Sequence, residues 1–294
     1  MSENVLGGGI RSGIKTILST LSPKFTTYLM YLYNFRRLPD FDNPKDINDW
    51  LQKLKLGEYY HNPVITQCVD KYRVRDYIIN KGLKKILPDL YVGGIENPDE
   101  LRSYWEKFPD ALVIKCNHGC GYNMLINDKR SVNMDDAISQ LKEWLEEDHW
   151  KKYCEPQYMD VKKCVLAEEY LGDEIKTYKF YCFNGEPKVL YVSANGANGE
   201  KDLYLDYFDM DWNWMDLTLE GHLHNQDGYE KPVCFDEMIK VSRILAKDFP
   251  FVRVDLYDVA GKVYFSELTF IPTGGNMKLT PSKYLIEWGE WMKK

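Results

Sequence analysis

The chain has 294 residues, of which 44% are hydrophobic and 28% charged. That excludes a disordered or fibrous protein and leaves room for one large domain or two smaller ones. A formal net charge of −7 argues against a nucleic-acid partner, although a local basic patch for phosphates remains compatible with it. The seven cysteines are odd in number and lack paired C-x-x-C spacing, so they read as reduced thiols of a cytoplasmic protein.

In chain order, the polar, glycine-rich start MSENVLGGGIRSG does not have the pattern of a signal peptide. Tyr28 to Phe35 is apolar but too short to span a bilayer, so no integral membrane segment is expected. It reads as a helix packed on its domain, with an amphipathic helix at a membrane surface as the alternative. Asp46 precedes Ile47 to Leu51 as a helix start, and residues 1–60 form a helical region without recognisable chemistry. A catalytic region of residues 61–294 follows. There, residues 63–82 place Val64, Cys68, Tyr72, Tyr77 and Ile78 at mostly helical spacing, which predicts one helix ending at Gly82. Leu112 to Ile114 predict a short strand that ends in Lys115 and opens into a turn with Gly119 and Gly121, the form in which a backbone approaches a phosphate. Cys116, His118 and Cys120 raise zinc as a minor alternative, but a fourth ligand is not apparent.

A helix over 135–148 and a strand over 164–171 come next. Asn184-Gly185 then joins two strands as a hairpin. Residues 194–230 read as a polar, aromatic-rich loop that contains Asp209-Met210-Asp211 and a solvated pair, His222 and His224. Its Tyr207, Phe208, Trp212 and Trp214 are either buried or available to stack on sugar rings. The helix over 235–249 has a core stripe of Met238, Val241, Leu245 and Phe249.

The most informative stretch is Phe251 to Gly275, which predicts two strands joined by a turn at Asp258 to Gly261. With the turn centred near Ala260, Val252, Val254 and Leu256 face Leu268, Ser266 and Tyr264. Arg253, Asp255 and Tyr257 then share the other face with Glu267, Phe265 and Val263. Two carboxylates beside a guanidinium offer hard oxygen ligands to Mg²⁺ and a counter-charge to a phosphate chain. The competing reading is a polar face that merely meets water.

Five segments together carry a family resemblance: DKYRVRDYI (70–78), KCNHGCGYN (115–123), AEEYL (167–171), YKFYCFNGEPK (178–188) and FPFVRVDLYDVAGKVYFSELTFIPTGG (249–275). In this order they resemble the ATP-grasp superfamily, most closely the TupA-like ATP-grasp proteins of bacterial surface polysaccharide and teichuronopeptide synthesis. The resemblance implies an α+β ATP-grasp fold, in which two α+β lobes with antiparallel sheets clasp ATP behind the helical N-terminal region. It implies a mobile lid at roughly 110–171 that carries the glycine turn. It places Arg75, Lys115 and Lys179 on the phosphates, with His118, Gly119 and Gly121 beside them. Glu168, Glu169, Tyr170 and Leu171 fall at the adenine and Glu174 at the ribose. Asp255 and Glu267 match the metal carboxylates, Thr269 stands where many relatives have Asn, and Arg253 and Lys179 match the catalytic cations.

The implied activity is an ADP-forming ligase that uses ATP and Mg²⁺ to join a small-molecule amine to a uronic-acid or glycan acceptor, with peripheral contact to polysaccharide or capsule assembly machinery. Alternatives are a sugar kinase, a glycosyltransferase using the Asp209-Met210-Asp211 triplet, and a non-catalytic nucleotide-binding assembly protein.

Overall fold

Backbone hydrogen bonding in the computed structural model, which describes residues 15–173, 175–194 and 204–293, builds two larger antiparallel sheets. The chain divides into two compact units: residues 1–30, 58–77 and 88–171 in one, and 31–57, 78–87 and 172–294 in the other. This is the α+β architecture that the sequence predicts. Among the described residues no helix is long and apolar enough to cross a membrane.

The first unit centres on a four-stranded sheet in the order β1 (Leu90–Ile95), β4 (Val165–Glu169), β2 (Leu112–Cys116) and β3 (Asn123–Ile126). Leu112, Ile114, Val165 and Ala167 are buried beneath it with Leu141 from the helix Met134–Glu146. That helix begins where the Asn133 side chain accepts hydrogen bonds from the backbone N–H groups of Asp135 and Asp136.

The single helix expected over 63–82 is two helices, Pro63–Val69 and Val74–Asn80. The break is chemical. Asp70 Oδ1 accepts from the backbone N–H groups of Tyr72 and Arg73, and Oδ2 accepts from the Arg73 guanidinium. A buried carboxylate therefore supplies an alternative set of partners that ends one helix and starts the next.

The second unit centres on a six-stranded sheet in the order β11 (Lys262–Thr269), β10 (Phe251–Val259), β5 (Thr177–Phe183), β6 (Glu186–Ala194), β7 (Tyr204–Asp209) and β8 (Trp214–Met215). A further pair joins β9 (Thr218–Leu219) to β12 (Leu279–Thr280). Asn184 and Gly185 both have positive φ, 49° and 84°, and close the predicted hairpin between β5 and β6 as a tight two-residue turn. Ala260 and Gly261 do the same between β10 and β11, at 51° and 79°.

Two expectations change here. Part of the stretch read as a loop is β7, whose Leu205, Tyr207 and Phe208 are buried against β6. Within it, Asp206 is buried and accepts hydrogen bonds from Trp214 Nε1 and the Asn225 backbone N–H, and lies 2.8 Å from His224 Nδ1. His224 is thus partnered and not simply solvated. Asp209 accepts from Asp211 N and Asn213 N, so the acidic triplet folds on itself as a turn.

The two faces of β10 are both covered. Val252, Val254 and Leu256 are fully buried, and the helix Phe235–Ala246 packs on their side, where Phe180 meets Phe235. The opposite side carries Tyr181, Tyr191 and Tyr207, and Trp288 of the helix Lys283–Trp291 lies 4.9 Å from Tyr181. The reading in which the polar face merely meets water therefore fails: Asp255 is 1% exposed.

Residues 31–57 brace this unit. Asn48 donates to the Met277 carbonyl and accepts from its N–H, both at 2.8 Å, and Gln52 donates to the carbonyls of Gly274 and Gly275.

Because Val254 sits at 0% exposure between Phe180 and Leu268, Val254→Asp places an unpaired charge in an apolar wall. The cost is several kcal/mol against a total stability on the order of 5–15 kcal/mol. Urea unfolding followed by circular dichroism should show loss of the cooperative transition, whereas Val254→Ile keeps it.

Candidate active site

In the first unit a carboxylate gathers two cations. Glu168 on β4 is 7% exposed. Its Oε1 accepts from Lys115 Nζ at 2.5 Å, and its Oε2 accepts from Arg75 Nη1 at 3.3 Å. Arg75 also donates to the Pro88 carbonyl at 2.6 Å. Burial draws the Arg75 guanidinium below its usual pKa, and Glu168 opposes that shift. The trio carries one excess positive charge. Both carboxylate oxygens of Glu168 are engaged by side chains, so this residue anchors the two cations. Glu169 accepts from the Asp89 N–H, and Tyr170 and Leu171 follow the strand end, each half-buried. Glu174 lies outside the described residues.

The glycine turn follows β2 directly. Gly119 and Gly121 have φ of 73° and 86°, a region that L side chains rarely adopt. At Gly119 space forbids a side chain as well, since a Cβ would lie 2.3 Å from the His149 ring. The turn is organised by a residue that sequence reasoning passed over, Asn117. It is fully buried, donates to the Lys162 carbonyl at 2.9 Å, and accepts from Cys164 N at 2.7 Å through its side chain. Its own carbonyl accepts from Lys71 N at 3.0 Å, while Lys71 Nζ donates to the Gly119 carbonyl. An Asn directly before a glycine-bearing turn was the available signal.

His118 points inward and does not join the cations. It is 2% exposed, its Nε2 lies 3.1 Å from the Glu147 carbonyl, and its ring meets Tyr122. Side-chain contact with a nucleotide, expected from the motif, is therefore corrected to a packing role beneath the turn. Cys116 is buried and Cys120 exposed, and among the described residues no three His, Cys, Asp or Glu side chains converge to hold a metal.

In the second unit the sheet register aligns the chemistry. Asp255 on β10 pairs directly with Lys179 on β5 and with Glu267 on β11, and Arg253 pairs with Thr269. Lys179, Asp255 and Glu267 therefore form one cross-strand row, with Arg253 and Thr269 two residues along on the same face. Arg253 grips Asp255 through two parallel bonds of 2.7 Å. The same Nη2 reaches Glu267 Oε1 at 3.3 Å and Thr269 Oγ1 at 3.0 Å. Lys179 Nζ stands 3.6 Å from Asp255 Oδ2 and over the Tyr191 ring. Burial raises the Asp255 pKa, while Arg253 and Lys179 oppose it.

One part of the predicted face is different. Asp255 opposes Glu267 but Leu256 opposes Phe265, so Ser266 is an extra residue in β11. This bulge reverses the alternation beyond it. Phe265 and Val263 consequently lie on the side of Leu256, where both are buried, and Tyr264 lies opposite Tyr257. Glu267 and Thr269, on the far side of the bulge, keep their predicted face.

The donor set is compatible in type with one hard divalent cation. Glu267 is about one-third exposed at its side chain and Thr269 adds a hydroxyl oxygen, whereas both oxygens of Asp255 are engaged by Arg253. A cation bound at Glu267 and Asp255 would compete with Arg253 for the same oxygens.

Two measurements probe this arrangement. Arg253→Met removes the two-bond partner of buried Asp255 and leaves Lys179, 3.6 Å away, as its remaining counter-charge; it should cost about 3 kcal/mol of stability, with Asp255→Asn in the same chain restoring part of it in urea titrations. Burial, with Lys163 adding to it, lowers the His118 pKa from 6.5 to about 4. Between those values the unfolded chain binds a proton that the native chain excludes, so stability falls as pH drops through that window. The expected loss by pH 4.5 is about 2–3 kcal/mol, and His118→Gln should flatten this slope.

The family model described as TupA-like ATPgrasp matches residues 49–293. Similar solved structures include D-alanine–D-alanine ligase from Bacillus anthracis, 18% identical over 77% of this chain and 66% of that one, with a TM-score of 0.45. The corresponding ligase from Helicobacter pylori is 13% identical over 85% of this chain and 69% of that one, with a TM-score of 0.46. An L-amino acid ligase from Bacillus licheniformis is 13% identical over 78% of this chain and 50% of that one, with a TM-score of 0.45. The chain thus spans just under two thirds of the length of the Bacillus anthracis ligase. No curated protein matches. With the matched region running through the glycine turn, the Lys115–Glu168–Arg75 trio and the Lys179–Asp255–Glu267 row, the chain belongs to the TupA-like ATP-grasp family.

Proposed function

We propose that this protein is an ATP-dependent carboxylate–amine ligase. The observation that carries the reading is the row Lys179, Asp255 and Glu267 with Arg253 and Thr269 on the same face. It concentrates two cations and two carboxylates, which suits phosphoryl transfer by charge neutralisation, a reaction that needs no Ser-His-Asp set.

In this reading a substrate carboxylate oxygen attacks the γ-phosphorus of ATP, the bond to the bridging oxygen breaks, and ADP leaves. The amine nitrogen then attacks the acyl carbon of the acyl-phosphate, phosphate leaves, and the nitrogen loses a proton as the amide forms. Lys179 and Arg253 act on the transferring phosphoryl group. Mg²⁺, held by Glu267 and Asp255 with Thr269 nearby, would supply charge compensation to the phosphate chain. Lys115 and Arg75 act on the nucleotide phosphates, oriented by Glu168, and the glycine turn brings backbone close to the same groups. Closure of residues 110–171 as a lid would exclude water from the acyl-phosphate. Glu169, Tyr170, Leu171 and Glu174 are proposed to lie along the adenine and ribose. The substrates are an amino acid or related amine and a hexuronic acid of a bacterial surface polysaccharide, and the enzyme acts in the cytoplasm beside the assembly machinery. Those last assignments draw on the family resemblance.

The test is thermal melting with ATP and Mg²⁺ together and separately. Ligand at about a hundredfold over Kd adds about 2.7 kcal/mol to the native state, a rise of several degrees. The rise should require both components, shrink in Glu267→Gln and Lys115→Ala, and be followed by hydroxamate formation when uronic acids and hydroxylamine are supplied. A stable, hydroxylamine-resistant phosphate ester would instead identify a kinase.

A further inference from the structure

The helix Pro23–Phe35 buries polar side chains and exposes apolar ones. Thr26, Thr27 and Tyr31 are buried, and each has a partner. Thr27 Oγ1 lies 3.5 Å from Cys154 Sγ, Thr26 donates to the Ser22 carbonyl at 3.0 Å, and the Tyr31 hydroxyl donates to Asp49 at 2.6 Å. Phe25, Leu29, Leu32 and Tyr33 are exposed instead, Phe25 at 54% and Tyr33 at 64%. Their spacing puts these four on one arc about 100° wide, opposite Thr27 and Tyr31.

Residues 15–21 are helical too and add Ile17 and Leu21, the latter 78% exposed. An isolated exposed leucine is ordinary, but this segment exposes an apolar residue on nearly every turn. The two readings of the segment offered by the sequence are therefore compatible: one face packs on the protein while the other is left for a partner.

Charge indicates what that partner is. Residues 4–39 hold Arg11, Lys15, Lys24, Arg36 and Arg37 and no carboxylate, in a chain with 38 Lys and Arg against 45 Asp and Glu. Arg37 is taken up by Asp46 and Asp49, Lys15 lies over the Tyr153 ring, and Arg11 is outside the described residues. Lys24 and Arg36 are exposed, and among the described residues neither pairs with a carboxylate. The Arg36 guanidinium lies over the Tyr33 ring at 5.5 Å, which leaves its N–H donors for another acceptor. A second copy docked on this face would bring like charges together, since nothing acidic in residues 4–39 could meet them. The phosphates of an anionic bilayer would meet them, while the apolar arc enters the boundary between headgroups and acyl chains.

We propose that the exposed face of the helix Pro23–Phe35 docks on an anionic lipid surface, with Phe25, Leu29, Leu32 and Tyr33 entering the headgroup region and Lys24 and Arg36 held at lipid phosphates. At 13 residues the helix is too short to cross a bilayer and lies in the interface. Binding of this kind does not require the ligase reading.

Sedimentation of the full chain with vesicles tests it, using equal parts of phosphatidylglycerol and phosphatidylcholine, phosphatidylcholine alone, and no lipid. The protein should pellet with the anionic vesicles, with affinity about tenfold above that for the neutral ones, and high salt should reduce the difference. Phe25→Ser combined with Leu29→Ser should weaken binding to the anionic vesicles at least about tenfold. Lys24→Gln combined with Arg36→Gln should remove the preference for anionic over neutral vesicles. All four side chains are exposed, so the melting temperature should not fall in either pair. No pelleting with anionic vesicles, binding unchanged in both pairs, or a dimer in lipid-free analytical ultracentrifugation that the Phe25 and Leu29 pair dissociates would overturn the proposal, the last in favour of a second copy.

Discussion

The buried pairing of Arg253 with Asp255 is the constraint on which the larger sheet depends. A carboxylate at 1% exposure is tolerated only where its lone pairs are satisfied and its charge is balanced. The balance comes from Lys179, directly across from Asp255, and from Arg253, two residues away on the same face, whereas Glu267 on the other neighbouring strand adds a like charge that works against them. A slip of one residue would turn the guanidinium toward Phe180 and Phe235 and bring Val254 onto the charged row. The ion pair lies within one strand and travels with it, so it is weak evidence of added stability; what disfavours a one-residue slip is that it would carry both charged residues into the apolar wall of Phe180 and Phe235.

The smaller sheet solves a related problem with the signs exchanged. There two cations surround one carboxylate, Glu168, whose separate oxygens hold Lys115 and Arg75. The result is a net positive group fixed at a strand, next in sequence to a turn whose glycines at 119 and 121 both have positive φ. Its stiffness comes from Asn117, buried with its side chain tied to residues 162 and 164. Positive charge and close backbone approach are thus held by two independent sets of contacts, so a change in one need not dismantle the other.

Much of this was legible in the sequence because it depends on local rules. Alternation in Phe251 to Thr269, the Asn184-Gly185 turn and the glycines after Lys115 each specify backbone through neighbouring residues. What escaped leaves no mark in composition or apolar spacing, whether its partners are close in the chain, as at Asp70, or distant, as at Asp206. The bulge at Ser266 changes strand parity without altering composition, so Phe265 and Val263 were placed on the wrong side. The break at Asp70 was hidden because its apolar residues continue at helical spacing on either side, while the competing hydrogen bonds come from a single carboxylate. His118 looked like a ligand because it sits between two glycine-turn residues, but packing against Tyr122 and the Glu147 carbonyl turns it inward. Tyr204 to Asp209 lies in a stretch whose polar, aromatic-rich composition reads as loop; Asp206 is acceptable in a strand because Trp214, His224 and Asn225 meet it there.

The segment after Thr269 shows how the N-terminal residues enter the same scheme. Thr273, Gly274 and Gly275 all have positive φ, a conformation open to the two glycines but costly for Thr273. At Gly275 a Cβ would meet the Gln52 side chain at 2.7 Å, so glycine there serves contact as well as conformation. Gln52 takes up the Gly274 and Gly275 carbonyls while Asn48 closes a two-way bond with Met277. Lys55, 2% exposed, adds a contact to the Gly274 carbonyl. The helix Ile47–Leu56 thereby turns three of its side chains into substitutes for the regular partners that the backbone lacks at this turn. Its polar residues Asn48, Gln52 and Lys55 recur at i, i+4 and i+7, which places them on one helical face. This polar stripe is the surface that holds the chain just beyond Thr269.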